Sequence, residues 1–118
     1  MTDDLATVRI RNRGAIVMAT VDGELDVSNT GGLLEELVRA VENSAHGLLL
    51  DLADLEFLDS SGVHMLYDLA ERLGNRQQRF AVVLPPGSPP RRTVELSGVE
   101  PARWLHDDQA AALAALGG

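Results

Sequence analysis

The chain has 118 residues, the length of one ordinary domain, and contains neither cysteine nor lysine. Disulfides, thiolate chemistry, zinc–sulfur sites, a P-loop lysine and Schiff-base catalysis are therefore excluded. The net charge of −8 comes from residues 1–60, where twelve acidic residues stand against four arginines, which disfavours nucleic acid as a partner. No apolar run reaches membrane-spanning length, and the acidic N-terminus lacks the basic start of a secretory signal. We therefore expect a cytoplasmic protein without membrane contacts.

A hairpin is predicted at the start of the chain. One strand lies around Val8 and Ile10, and Ala15–Thr20 forms the next. The turn signal Asn12-Arg13-Gly14 stands between them. The segment Val21–Asp26 is predicted to leave the second strand and to form a loop.

A helix and a buried strand follow. Ser28, Asn29 or Thr30 can cap the helix, which is predicted to end near Asn43-Ser44. Its apolar stripe, at helical spacing, consists of Leu33, Leu34, Leu37, Val38 and Val41. The continuously apolar segment Gly47–Leu52 is typical of a central strand covered on both faces.

The next helix has the clearest amphipathic pattern. Asp59-Ser60-Ser61 offers three candidate caps at its start, and Gly74-Asn75 ends it. One face carries Val63, Leu66, Tyr67, Ala70 and Leu73. Phe80–Leu84 then reads as another buried strand.

The last third is predicted to be loop, helix, strand and helix. Pro85–Pro90 holds four prolines and is predicted to be loop. A short helix covers Arg92–Leu96, and Trp104-Leu105 is a candidate short strand. Asp107–Leu116 is predicted to be a helix capped by one of its first two aspartates.

This alternation of strands and helices predicts an α/β fold, with a mixed, mostly parallel sheet flanked by α-helices. We expect a single domain over residues 1–118, with its core at about 6–116. No repeat and no linker divides the chain.

The turn Asp59-Ser60-Ser61-Gly62 is the candidate functional segment. It joins a buried strand to a helix start, where backbone N–H groups are unpaired and the helix dipole is positive. Ser60 in this place can cap the helix, and a phosphoserine there would be stabilised by the helix end. Gly62 is expected to leave Ser60 accessible to another protein's active site. Asp54 and Glu56 are expected to lie near this turn, which would make the site more acidic.

Three segments, in order along nearly the whole chain, resemble the STAS family and within it the anti-sigma-factor antagonists of bacteria. Gly23-Glu24-Leu25-Asp26 resembles the G-E-L-D after the family's second strand. Leu50–Val63 resembles the strand–turn–helix signature D-L-x-x-x-x-F-[IL]-D-S-[ST]-G-[LV]. Arg92–Val99 resembles the later helix ending in L-[ST]-G-[LV]. D-S-[ST]-G alone is a weak signal, but the three segments in register are specific.

The resemblance implies that Ser60 is phosphorylated by an anti-sigma-factor serine kinase. The unmodified antagonist binds that kinase and frees a sigma factor; phosphorylation switches binding off, and a serine phosphatase restores it. The kinase supplies ATP and magnesium, so we expect no cofactor, no metal and no enzymatic activity in this chain. Asp26, Asp59, Ser61 and Gly62 are implied to surround the phosphorylated serine.

The expected partner-binding surface surrounds Ser60 and the following helix, on a protein that is a monomer or weak dimer. Its predicted members are Glu24, Asp26, Ser60, Ser61, Val63, His64 and Tyr67.

Several alternatives remain open at this point. The alternative role of Asp26 is to start its own loop or to bind backbone N–H groups there, and Ser61 is a second candidate acceptor. A STAS scaffold or sensor module in a larger signalling assembly is the alternative function. A hydrolase using Ser60 with His64 is a third hypothesis, although the G-x-S-x-G elbow is absent. The three histidines are isolated in sequence, so no metal site is expected. Trp104 and Phe80 are expected in the core.

Overall fold

Six strands and four helices follow one another in residues 5–97 and 103–117, the parts of the chain that the computed structural model describes. The strands are β1 (Ala6–Arg13), β2 (Ile16–Leu25), β3 (Gly47–Asp51), β4 (Leu55–Leu58), β5 (Arg79–Val83) and β6 (Leu105–His106). The helices are α1 (Thr30–Ala40), α2 (Ser60–Asn75), α3 (Pro89–Ser97) and α4 (Gln109–Ala115).

The strands form one sheet in the order β1-β2-β3-β5-β6, and β4 pairs with the last residues of β2. β1 and β2 are antiparallel, whereas the other pairings of the described strands are parallel. The predicted α/β fold with a mixed, mostly parallel sheet is confirmed. β3 lies between β2 and β5, and its residues Leu48, Leu49 and Leu50 are fully buried. This position explains the apolar run, since helices cover both faces of the strand.

The core has one hydrophobic cluster on each face of the sheet. Along β2, Val17 and Ala19 point to one face, while Ile16 and Met18 point to the other. The first face is covered mainly by α1 and α2, through Leu33, Leu34, Leu37, Leu66, Leu69 and Leu73. The second face is covered by α4, whose Ala112 and the following Leu116 are buried.

The second strand is longer than the sequence predicted. The hairpin is confirmed, with Gly14 and Ala15 in the turn. The prediction that Val21–Asp26 is a loop is wrong, because β2 continues to Leu25. Val21 and Asp22 extend the pairing with β1, and the last three residues, Gly23–Leu25, pair with β4, a strand that was not predicted. Leu25 is fully buried.

The loop from β2 to α1 is organised by Asn29, one of the candidate caps. Asn29 precedes α1, but its side chain makes no capping hydrogen bond to the helix. Its Oδ1 accepts from the Asp26 N–H at 3.0 Å, and its Nδ2 donates to the Glu24 carbonyl at 2.8 Å. The helix ends at Ala40, before the predicted end. Asn29 therefore shapes the loop and leaves the N-terminus of α1 without a side-chain cap.

The prolines do not exclude a helix. The prediction that Pro85–Pro90 is loop throughout is wrong at its end, because α3 begins at Pro89. The first N–H groups of a helix have no partner within it, so prolines there remove no hydrogen bond. The Ser88 carbonyl accepts the Arg92 N–H at 3.0 Å as α3 begins. The predicted short helix is thereby confirmed as part of α3.

The C-terminal elements lie close to their predicted positions. Gly98 and Val99, which belong to the predicted helix-ending motif, lie outside the described residues. The last strand occupies Leu105–His106, one residue later than predicted. Asp108 caps α4, since its carboxylate accepts the Ala111 N–H at 2.8 Å.

Candidate functional site

The pairing of β2 with β4 brings two aspartates to the same edge of the sheet. Leu25 pairs with Leu58 in a parallel arrangement, so Asp26 and Asp59 follow neighbouring strands. The Asp59 N–H donates to the Leu25 carbonyl at 3.2 Å, which links the two segments directly. The candidate site therefore lies at this edge, where α2 begins.

Asp59 is the N-cap of α2. Its Oδ1 accepts hydrogen bonds from the N–H groups of Ser61 at 2.9 Å and Gly62 at 3.2 Å, and from the Ser61 hydroxyl at 2.5 Å. The hydroxyl of Ser61 lowers the pKa of Asp59 most, backbone N–H groups including that of Val27 add to this effect, and burial opposes it. Asp59 is consequently a charged acceptor at neutral pH.

Ser60 is the first residue of α2, and its side chain is exposed. The cap is Asp59, so the hypothesis that Ser60 caps the helix is wrong. The Ser60 hydroxyl makes no hydrogen bond to any described residue, whereas the Ser61 hydroxyl is bound by Asp59. The two neighbouring serines therefore differ: one hydroxyl is available to a partner enzyme and the other is engaged.

Gly62 faces the core and does not widen access to Ser60. A Cβ at this position would meet the Leu58 Cδ1 at 2.2 Å and the Leu58 Cγ at 2.9 Å. The expectation that Gly62 opens a path for another active site is therefore wrong. The residue is a glycine because α2 passes close to the buried end of β4.

Asp26 makes a local turn beside the Asp59 cap. Its Oδ1 accepts from the Ser28 N–H at 2.8 Å and from the Ser28 hydroxyl at 2.5 Å. The hydrogen bonds proposed as the alternative role of Asp26 are thus present. They coexist with a position next to Asp59, so the loop-stabilising role does not remove Asp26 from the site. Glu24 is exposed in β2, where it pairs with Phe57 of β4.

The three partner-surface residues predicted on α2 differ in exposure. His64 is exposed, and Tyr67 is 38% exposed, with its ring edge-on to Trp104 at a centroid distance of 5.3 Å. Val63 is only 4% exposed and belongs to the core, so the expectation that it contacts a partner is wrong. Val63 and His64 are consecutive residues of an amphipathic helix, so the first points into the core and the second points to solvent. Trp104 and Phe80 pack together at 5.6 Å against the core, as predicted.

An open groove of about 420 Å³ runs between the starts of α1 and α2. From α1 it is lined by Thr30, Gly31 and Leu34; from α2 it is lined by Ser60, Ser61, His64, Met65 and Asp68. Ser60 therefore stands at the margin of a concave surface that two helices form.

The acidic residues before the turn do not all approach Ser60. β4 rises by about 3.3 Å per residue, which separates Asp54 from Asp59 by about 16 Å. The expectation that Asp54 adds charge next to Ser60 is therefore wrong. The acidic residues directly beside the turn are Asp26 and Asp59, and Asp68 lines the groove with Ser60.

Two exposed apolar side chains near the aspartates were missed by the sequence analysis. Val27 is 81% exposed in the β2–α1 loop, and Phe57 is 47% exposed in β4. The signals in the sequence were weak. Val27 is an apolar residue directly after Gly23-Glu24-Leu25-Asp26, and Phe57 is an apolar residue beside Glu56 in a segment of only four strand residues. Both side chains can contribute apolar contacts to a partner near Ser60.

We expect Asp59→Ala to lower the free energy of unfolding by about 1 kcal/mol, because the substitution removes the N-cap of α2. Urea denaturation of the protein and the variant measures this difference. Asp54→Ala, at an exposed position without a cap, should change the value by less than about 0.5 kcal/mol. An equal effect of both substitutions would contradict the capping role.

The Asp59 cap also makes the stability of the fold depend on pH. The folded-state pKa of Asp59 lies below its ordinary value of 3.8, so ionised Asp59 stabilises the fold above pH 3.8. This stabilisation is lost as the pH falls through the lowered pKa. The stability advantage of the protein over Asp59→Asn, measured by urea denaturation, should therefore shrink in acid.

Within residues 5–97 and 103–117, no group of three or more His, Asp or Glu residues is placed to hold a metal ion. In the same residues, no helix has both the length and the apolar character needed to cross a membrane.

Comparison with known proteins identifies the family. Residues 7–112 match the STAS domain family. The chain belongs to the STAS domain family. Over 97 residues it is 30% identical to the anti-sigma-F factor antagonist RsfB of Mycobacterium tuberculosis, covering 82% of this chain and 78% of that protein. The family resemblance seen in the sequence is thereby confirmed.

Solved structures share the fold of this STAS domain. The crystal structure of an anti-sigma factor antagonist from Mycobacterium paratuberculosis has a TM-score of 0.84 and 27% identity, covering 99% of this chain and 98% of that chain. The phosphorylated form of the Bacillus cell fate determinant SpoIIAA has a TM-score of 0.65 and 23% identity, covering 92% and 97%. The second similarity shows the fold alone. Both RsfB and the Mycobacterium paratuberculosis protein are named as antagonists of anti-sigma factors.

Proposed function

We propose that this protein is an anti-sigma factor antagonist that binds an anti-sigma factor kinase when Ser60 is unmodified and loses that binding when Ser60 is phosphorylated. The relatives named as antagonists support the class of function. The observation that carries the switch is the Ser60 hydroxyl, exposed at the start of α2 and without a hydrogen-bond partner among the described residues.

The arrangement favours Ser60 over Ser61 as the phosphorylated residue. Transfer of the γ-phosphoryl group of ATP forms a bond from a serine oxygen to phosphorus, breaks the bond to ADP and releases the hydroxyl proton. The Ser60 hydroxyl can approach the nucleotide without losing a contact. The Ser61 hydroxyl would first have to leave Asp59, and its phosphate would then lie against that carboxylate.

Phosphorylation changes the charge of a preformed surface. It adds about −1.5 to −2 charges next to Asp26 and Asp59. A partner surface that accepts the neutral serine would have to accept this concentrated negative charge, and an affinity change of only about 1.4 kcal/mol is tenfold. The switch therefore needs no change of fold.

The proposed docking surface is formed by exposed and half-buried residues around the turn. It comprises Glu24, Asp26, Ser60, Ser61, His64 and Tyr67, with Val27 and Phe57 added from the structure. Val63 supports this surface from the core. The kinase supplies ATP and magnesium, a serine phosphatase reverses the modification, and the antagonist acts as a monomer or weak dimer in the cytoplasm.

Incubation of the purified protein with lysate of its native host and MgATP, followed by phosphopeptide mapping, tests the switch. We expect one phosphate on the Asp59–Gly62 turn, lost in Ser60→Ala and kept in Ser61→Ala. Loss in Ser61→Ala instead would move the acceptor to Ser61. No phosphate, in a lysate whose kinase modifies a control antagonist, would favour a non-switching scaffold or sensor module.

A further inference from the structure

The starting point is where a phosphate on Ser60, as proposed above, can lie. The N–H groups of Ser61 and Gly62 at the start of α2 are already bound by Asp59. That carboxylate is ionised, since its hydrogen bonds lower its pKa. A phosphate dianion is therefore repelled by Asp59, and Asp26 stands on the same side. In the first turn of α2, Asp59 thus takes the Ser61 and Gly62 N–H groups, and the Ser60 N–H is the backbone donor there without an acceptor among the described residues.

The other side of Ser60 is the groove between α1 and α2. Thr30 lines this groove, is only 7% exposed, and its hydroxyl makes no hydrogen bond to any described residue. The N–H groups of Gly31 and Gly32 likewise have no acceptor among the described residues, because α1 lacks a side-chain cap. The first turn of α1 holds no acidic residue. The Thr30 hydroxyl and the positive end of a helix therefore face the groove, and Asp68 is the acidic residue among the residues that line it.

His64 supplies a side-chain hydrogen-bond donor. It lies four residues after Ser60 on α2, so the two side chains are neighbours on the helix surface, and both line the groove. An imidazole ring carries an N–H group that can donate a hydrogen bond to a phosphate oxygen. The other charged groups nearby are Asp68, which also lines the groove, and the Glu35–Arg72 ion pair across α1 and α2, at 3.6 Å. Arg72 is engaged by Glu35, which leaves His64 as the donor closest in sequence to the phosphate.

We infer that the phosphate of phosphorylated Ser60 turns into the α1–α2 groove and is bound there by His64 and the Thr30 hydroxyl. This inference rests on the proposed phosphorylation of Ser60 and describes its structural consequence. The phosphate then occupies a concave surface that is open in the unmodified protein. In the phosphorylated protein, the phosphate would therefore block a partner side chain from entering this groove, in addition to repelling acidic groups of the partner.

Phosphorus NMR on protein carrying phosphoserine at position 60, installed during translation, tests the inference. A free phosphoserine loses its second proton near pH 6. Hydrogen bonds from His64 favour the dianion, so we expect His64→Gln to raise the titration midpoint of the phosphate by about half a unit. Thr30→Val should raise it in the same direction. His46 is also exposed but directly precedes β3, at the end of that strand away from Ser60. His46→Gln should therefore leave the titration midpoint of the phosphate unchanged.

Amide spectra supply a second readout. The Gly31 and Gly32 N–H resonances should move when Ser60 carries the phosphate, and should move less in the His64→Gln background. Equal phosphate midpoints in the parent, His64→Gln and Thr30→Val proteins would overturn the inference. That result would leave the proposed function intact, because the phosphate is installed without a kinase. Failure of the host lysate to modify Ser60 would contradict the proposed function alone.

Discussion

Gly23→Ala should lower the free energy of unfolding by about 3 kcal/mol, because two costs coincide at this glycine. Its φ of +103° is a backbone conformation that L side chains rarely adopt. A Cβ would also lie 2.1 Å from the Leu5 carbonyl oxygen. That carbonyl accepts the Glu24 N–H at 2.9 Å, so the backbone cannot move away without losing a hydrogen bond.

The position matters for the site as well as for stability. The pairing of β2 with β4 shifts register between Gly23 and Glu24, and this irregularity precedes the Leu25–Leu58 pair. Asp26 and Asp59 are adjacent because of that pairing. A substitution at Gly23 should therefore disturb the site although Gly23 contacts no partner.

Urea denaturation measures the effect, with Gly74→Ala as the matched control. Gly74 lies in the last turn of α2, and a Cβ there meets nothing within 4 Å. Alanine at that position should stabilise the protein by up to about 1 kcal/mol, through helix propensity. If Gly23→Ala were as stable as Gly74→Ala, the register shift would not depend on glycine.

The sequence was sufficient to predict elements whose pattern is long or strongly periodic. The amphipathic stripe of α2 and the continuous apolar run of β3 each correspond to one kind of burial, so both were predicted correctly. β4 was missed because only four residues form it, and its two central residues are both exposed. The last two residues of β2, Glu24 and Leu25, pair with β4 and not with β1, so the missed β4 also hid the end of β2.

The candidate turn was also predicted, but the roles within it were not. Asp59, Ser60 and Ser61 are all good caps by residue type. Asp59 is held in the cap position by hydrogen bonds to residues remote in sequence. Its N–H donates to the Leu25 carbonyl and its carboxylate accepts from the Val27 N–H, and only the fold brings these residues near Asp59. Residue type and spacing could not separate an engaged serine from a free one.

Phosphorylation of Ser60 should lower the affinity for the anti-sigma factor kinase at least tenfold, or about 1.4 kcal/mol. The added charge stands beside Asp26 and Asp59 on the proposed docking surface, next to the groove into which we infer that the phosphate turns. Binding of purified kinase to unmodified protein and to protein with phosphoserine at position 60 measures the change. Ser60→Ala should bind like the unmodified protein and should not respond to ATP and phosphatase.

Phosphoserine installed at position 44 is the control for added charge away from the site. Ser44 is exposed in the α1–β3 loop, at the end of the sheet opposite the site, so its phosphate should leave kinase binding nearly unchanged. Repulsion between exposed charges weakens as salt screens it, whereas occupation of the groove does not. A loss of affinity that persists at high salt would therefore support groove occupation, and a loss that disappears would support repulsion alone. Equal affinities of the two phosphorylated proteins would contradict a switch at Ser60.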